Sequence, residues 1–160
     1  SAMSLMAEIA AWAKERGLTM YQMIQDIYLK YGFSKEKGIS VVRKGKQGAE
    51  EIQAMMKSFR ENPVKTLAGS PVVMIKDYQA LTATDAEGNV TKLDMPCTSN
   101  VLQYFTAAGD KISVRPSGTE PKIKFYIEVR GIPMESYADY DNANRLADEK
   151  IEAFKKDLGI

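Results

Sequence analysis

Histidine is missing from all 160 residues, and cysteine occurs once, as Cys97. Without an imidazole the chain cannot assemble a Ser-His-Asp triad or a Cys-His dyad. It also lacks the most versatile general acid-base group and every His-ligated metal site. One thiol forms neither an internal disulfide nor a multi-cysteine zinc site. Lone cysteines are commonly buried, so Cys97 reads as a reduced, structural side chain. Charge of one sign is lacking too: 22 basic against 21 acidic residues leave a net +1, unlike the basic excess of a dedicated nucleic-acid binder. No apolar run approaches a membrane span and no signal peptide opens the sequence. The expected setting is therefore soluble and cytoplasmic, with no membrane partner and no nucleic acid. Ser1-Ala2 ahead of Met3 has the look of a cloning remnant.

What is present is ordinary: 44% hydrophobic and 27% charged residues, enough for one domain with a real core. Leu5, Ile9, Trp12 and Ala13 recur at helical spacing up to Gly17, a C-terminal stop. Thr19 and Gln22 have capping-box spacing and open a second helix. Its expected apolar stripe is Met20, Met23, Ile24, Ile27 and Tyr31. After Phe33 the character changes. Lys35 to Gly38 is a polar stretch, and Ile39 to Arg43 reads as a strand. A third helix starts between Gly45 and Gly48, buries Ile52, Met55, Met56 and Phe59, and stops at Asn62-Pro63. Strands follow at Val72–Ile75, Leu81–Thr84, Val90–Leu93 and Val101–Phe105, with a turn at Glu87-Gly88-Asn89. Lys111–Arg115 and Lys122–Arg130 alternate strongly. Ile112, Val114, Ile123, Phe125, Ile127 and Val129 take the core side. A last helix begins near Ser136 and buries Ala143, Ala147, Ile151, Phe154 and Leu158. Strands bunched between helices argue an α+β fold. Residues 1–33 read as a helical appendage, because two short helices bury too little alone. Residues 34–160 form the main domain. The methionines at 20, 23, 55 and 56 are expected to pack as core, and Trp12 to leave apolar surface uncovered.

Chemistry concentrates between the two alternating strands, in Arg115-Pro116-Ser117-Gly118-Thr119-Glu120-Pro121-Lys122. Prolines at both ends stiffen the loop. Gly118 permits backbone angles closed to other residues. Ser117 and Thr119 offer hydroxyls, and the amides of Ser117, Gly118 and Thr119 are expected to point inward as an anion nest. Arg115 carries a planar fork for two oxygens on the non-core face, and Lys122 and Lys124 add charge on that side. These parts suit a phosphate group. Glu120 would repel one, so it is expected to point away or to bond the loop backbone. The same residue types also make turns that only connect strands.

The run RPSGTEPKIKFY, Arg115 to Tyr126, resembles the C-terminal phosphate-binding loop of the α-D-phosphohexomutases, the phosphoglucomutase/phosphomannomutase family. Ser99-Asn100-Val101-Leu102 before it and the long helix after it resemble the rest of that family's last domain. Residues 5–33 resemble the tail of the preceding one. The resemblance implies a TATA-box-binding-protein-like antiparallel sheet flanked by helices. It implies an isomerase that moves a phosphoryl group between sugar 1- and 6-positions through a phosphoserine and Mg²⁺. Arg115, Ser117, Gly118 and Thr119 would then contact the substrate phosphate, with Lys122 a weaker correspondence. The family's phosphoserine, metal and sugar-recognition loops are absent from these residues. Asp139 and Asp141 have DxD spacing but sit at a helix start, where they suit the helix dipole better than a metal. The chain alone, without catalytic or metal-binding residues, is thus expected to be inactive. Its partners would be a phosphosugar and the upstream domains of the same enzyme.

Three other readings stand beside this one. A phosphopentomutase-type relative would share the loop. A nucleic-acid-binding module on a similar sheet rests on fold analogy alone. A hydrolase using Ser117 as nucleophile lacks a base to activate it. Which sugar is used is not legible in these residues.

Overall fold

The structure is a computed structural model that describes residues 1–160. Its centre is an antiparallel sheet of β1 (Lys35–Val42), β3 (Ser70–Asp77), β4 (Thr82–Asp85), β5 (Val90–Lys92), β6 (Leu102–Thr106), β7 (Lys111–Pro116) and β8 (Lys122–Val129). The spatial order is β1-β8-β7-β6-β3-β4-β5, and the short β2 (Thr66–Leu67) pairs with β3 alone. Alternation decides the faces. Leu102 and Tyr104, Ile112 and Val114, and Ile123, Phe125, Ile127 and Val129 all lie in one buried cluster. Arg115, Lys124 and Tyr126 stand on the other face.

Two helices cover the apolar face. α3 (Gly45–Glu61) contributes buried Ile52 and Met56, and α4 (Tyr140–Leu158) contributes Ala143, Ala147, Ile151, Phe154 and Leu158, the five positions its periodicity predicts. Phe59 meets Phe125 edge-on at 6.0 Å between ring centroids, and its carbonyl accepts a hydrogen bond from the buried Tyr104 hydroxyl at 2.9 Å. Gly48 has a packing reason. A Cβ there would lie 2.6 Å from the Arg43 carbonyl carbon, so only glycine lets the first turn of α3 close on the end of β1. The chain is thus α+β, an antiparallel sheet with helices. No helix is long and apolar enough to cross a membrane.

The structure corrects several expectations. β1 begins at Lys35, within the stretch read as polar and non-strand, and all eight of its residues pair with β8. An edge strand has a solvent side, so tertiary pairing overrides the polar local sequence. The β2–β3 hairpin was not foreseen, because its loop is Ala68-Gly69. Both residues have positive φ, 47° and 76°, as a type I′ turn requires, and alanine is an unusual first residue there. Cys97 is exposed rather than buried, since it lies in the loop between β5 and β6 instead of an element.

The helices α1 (Ala2–Glu15) and α2 (Met20–Tyr31) precede the sheet. Gly17 ends α1 with φ 69°, and Thr19 and Gln22 form the expected capping box. The stripe assigned to α2 is wrong: Met20, Ile24, Ile27 and Tyr31 are exposed, so Met20 is not core. The docking face carries Gln25, Tyr28 and Leu29 instead, with the half-exposed Tyr21 at its edge. Tyr21 meets Tyr140 edge-on and Tyr28 stacks on it, at 5.1 and 6.2 Å. Aromatic rings with polar tips serve a half-wet contact, and an apolarity count overlooks them. In α1 only Ala13 is buried, and Leu5 and Trp12 are exposed, as foreseen for Trp12.

Two acidic side chains tie the far end of the hairpin. Asp110, fully buried, accepts hydrogen bonds from Thr106 Oγ1 at 2.9 Å and the Arg130 N–H at 3.1 Å, and pairs with Lys150 at 2.8 Å. Glu128 pairs with Lys111 and Arg130. Burial pushes the Glu128 carboxyl up, but hydrogen bonds and charge from Lys111 and Arg130 outweigh it and hold the pKa below the ordinary value.

A lowered folded pKa stabilises the fold above the unfolded value and is lost as pH falls through the folded one. Glu128→Gln is therefore expected to be less stable than wild type near pH 6 and to lose less on acidification to about pH 3. Chemical unfolding at several pH values checks this, and parallel curves for the two proteins would refute it. Amide exchange should be faster in α1 and α2 than in β6–β8, because the helices bury so little. Equal protection in both regions would contradict that.

Candidate functional site

The β7–β8 hairpin places the site. Register pairs Arg115 with Lys124 and Ser113 with Tyr126. Both pairs stand on the open face because Val114 and Phe125 between them are buried. Arg115, Pro116, Ser117, Thr119, Glu120, Lys122, Lys124 and Tyr126 line one cavity of about 260 Å³ at the hairpin end. Of the residues expected at the site, Arg115, Ser117, Thr119 and Lys122 therefore come together. Gly118 lies in the same loop without lining the cavity by a side chain.

Backbone bonds give the loop its shape. The Ser117 N–H donates to the Lys122 carbonyl at 2.7 Å, and the Lys122 N–H to the Glu120 carbonyl at 2.7 Å. The latter closes an inverse γ-turn about Pro121, whose ring already favours the φ that turn needs. The Pro121 carbonyl accepts the Arg43 N–H at 2.9 Å, which ties the loop to the end of β1. Ser117 Oγ accepts from the Glu120 N–H at 3.3 Å and, at the limit of bonding, from the Thr119 N–H at 3.5 Å.

These bonds correct the expected nest. The Ser117 amide closes the hairpin, and the Thr119 amide turns to the serine oxygen, so the Gly118 N–H alone is left without a partner. Gly118 also differs from expectation. Its φ lies outside the left-handed region, and an added Cβ would meet nothing within 4 Å. The fold does not demand glycine there; a ligand approaching the backbone would.

The charges divide unevenly. Glu120 neither points away nor bonds the backbone through its carboxylate; it pairs with Lys122. A hydrogen bond and the charge of Lys122, with a smaller contribution from Lys124, hold its pKa below the usual glutamate range. Glu120 is the only carboxylate in the lining, so with it on Lys122 the cations facing the cavity are Arg115 and Lys124. Lys124 was read only as added charge, yet its register opposite Arg115 makes it the second cation of the site. The alternation of β8 and the pairing with β7 carry that signal. Tyr126 was missed as well. It lines this cavity and a neighbouring one of about 430 Å³ farther down the open face.

No group of three or more acidic or cysteine side chains could hold a metal ion. Asp139 accepts from the Ser136 N–H at 2.8 Å and Ser136 Oγ at 2.9 Å. It is the third-position partner of a capping box with Ser136, at the turn that leads into α4. The arrangement can bind an anion with several oxygens, between a guanidinium, an ammonium, two hydroxyls and a backbone N–H.

Comparison with known proteins bears on the family of the chain. Residues 39–153 match the model for the phosphoglucomutase/phosphomannomutase C-terminal domain. A phosphoglucomutase of Staphylococcus saprophyticus is 36% identical over 121 residues, covering 74% of this chain and 22% of the relative. One from Staphylococcus aureus is 31% identical over 139 residues, covering 87% of this chain and 25% of the relative. The chain thus spans about a quarter of the length of these relatives. Among solved structures, the exocytosis-sensitive phosphoprotein parafusin of Paramecium, a phosphoglucomutase in open form, aligns over 89% of this chain and 24% of its own, with TM-score 0.43 and 15% identity. With a family model that matches from β1 into α4 and phosphoglucomutase relatives above thirty per cent identity, the chain belongs to the phosphoglucomutase/phosphomannomutase family, as its C-terminal domain.

Proposed function

We propose that this domain holds the phosphate of a sugar phosphate while other parts of a phosphohexomutase carry out the transfer. The observation that carries the reading is the convergence of Arg115, Ser117, Thr119 and Lys124 on one small cavity. Each charge-assisted hydrogen bond contributes about 1.5–3 kcal/mol. Arg115 would take two oxygens with its fork, Lys124 a third oxygen, and the Gly118 N–H and the hydroxyls the remaining lone pairs. Such a contact does not distinguish one sugar from another, so a phosphopentose would fit the loop as a phosphohexose does.

In this reading the phosphoserine and Mg²⁺ of the reaction belong to segments outside these 160 residues. The side chains present do not suit the metal, since no acidic cluster exists to hold it. The domain's own work is to bind, orient and release. The proposed partners are the phosphosugar and the upstream domains of the same enzyme, and the proposed location is the cytoplasm.

Titration of isotope-labelled protein with inorganic phosphate and with glucose 1-phosphate tests this. Both are expected to shift the Gly118 amide. Arg115→Ala should weaken binding at least about tenfold, as loss of even one charge-assisted bond requires. Gly118→Ala should fold normally, since its Cβ meets open space, and bind more weakly. An Arg115→Ala variant that binds as wild type does would sink the assignment.

A further inference from the structure

The one acidic side chain in the cavity is built in rather than incidental. Glu120 and Lys122 flank Pro121, and the Lys122 N–H to Glu120 carbonyl bond at 2.7 Å fixes the backbone between them. The Glu120 N–H is anchored in turn to Ser117 Oγ at 3.3 Å. The carboxylate is therefore carried on the same stiff turn as its lysine. The turn fixes the backbone spacing of the two residues, so only their side-chain rotamers remain to be ordered by the pair. The Glu120 side chain stays 60% exposed while Lys122 is 27% exposed, so the pair lies at the mouth of the cavity, where an incoming anion arrives.

We infer that Glu120 is an internal counter-ion for Lys122, which an incoming phosphate must displace and which recaptures the lysine when the phosphate leaves. The inference rests on the phosphate reading above and deepens it. When the cavity is empty, the carboxylate satisfies Lys122. When a phosphate group enters, Lys122 exchanges one anion for another, and the freed carboxylate turns to water. The Lys122 contact then contributes only the difference between two ion pairs. Arg115 and Lys124 form no ion pair in the lining, although the Glu120 charge also reaches Lys124, and they supply the persistent attraction. Glu120 thus sets affinity low and release fast, as a site that must let go of its ligand repeatedly requires.

The test is a phosphate titration of four proteins, with Arg115→Ala as the control, followed by backbone amide shifts and exchange rates: wild type, Glu120→Gln, Lys122→Met and the double variant. Glutamine keeps the size of the side chain and removes its charge. Glu120→Gln is expected to bind inorganic phosphate about three- to tenfold more tightly, mostly through slower release. In the Lys122→Met background the same change should give less than about twofold, because no lysine remains to be released. Equal or weaker binding by Glu120→Gln, with wild type binding and Arg115→Ala not, would overturn the role of Glu120 and leave the phosphate site intact. An undiminished gain in the Lys122→Met background would also overturn it, in favour of plain charge repulsion. Absence of binding in all four proteins would overturn the phosphate site and this inference together.

Discussion

Everything at the site depends on the two-residue repeat of β8. Ile123, Phe125, Ile127 and Val129 are essentially removed from solvent by α3 and α4. Burying each is worth roughly 1.5–3 kcal/mol, so the strand has no freedom to roll over. A one-residue slip would put four apolar side chains in water and bury two lysines. The core therefore holds Lys122 and Lys124 on the open face as firmly as it holds the isoleucines on the other. β7 obeys the same rule through Ile112 and Val114, which leaves Arg115 beside Lys124. Two cations side by side repel each other, and packing below them supplies the energy that keeps them together. A ligand with two negative charges removes that frustration.

The loop above is preorganised in some parts and engaged in others. Its backbone is set by the Ser117, Lys122 and Arg43 amides, so little chain entropy remains to be lost on binding. Lys122 and the Ser117 and Thr119 amides already have internal partners, while Arg115, Lys124 and the Gly118 N–H do not. An anion entering the cavity would replace an existing contact only at the groups already engaged.

The sequence made the long, strongly periodic elements legible. The face of α4 and the core sides of β7 and β8 stand where alternation and helical spacing put them, because burial enforces both. The candidate site was legible in its residue types, since Arg, Ser, Gly, Thr and Lys together supply the donors that an anion needs. What failed was decided by contacts across the chain. The polar start of β1 became a strand because β8 offers it a complete ladder. α2 docks by tyrosines and Gln25 because its neighbour, Tyr140, rewards rings with polar tips more than plain aliphatics. The loop amides turned inward on their own hairpin, and the pairing of Glu120 with Lys122 was invisible without the γ-turn. For Lys124 the signal lies in strand pairing alone, which sets it opposite Arg115.

Gly48 shows how far the architecture of the loop extends. Its missing side chain lets α3 press on the backbone of Arg43, and the Arg43 amide in turn holds Pro121. The hairpin tip is therefore not a free-standing finger. It is propped from below by a helix with no chemical role of its own, through a single amide at the end of an edge strand. The geometry of recognition is in this sense inherited from packing elsewhere, so the loop's twelve-residue signature transplanted onto another hairpin would carry the letters of the site without its shape.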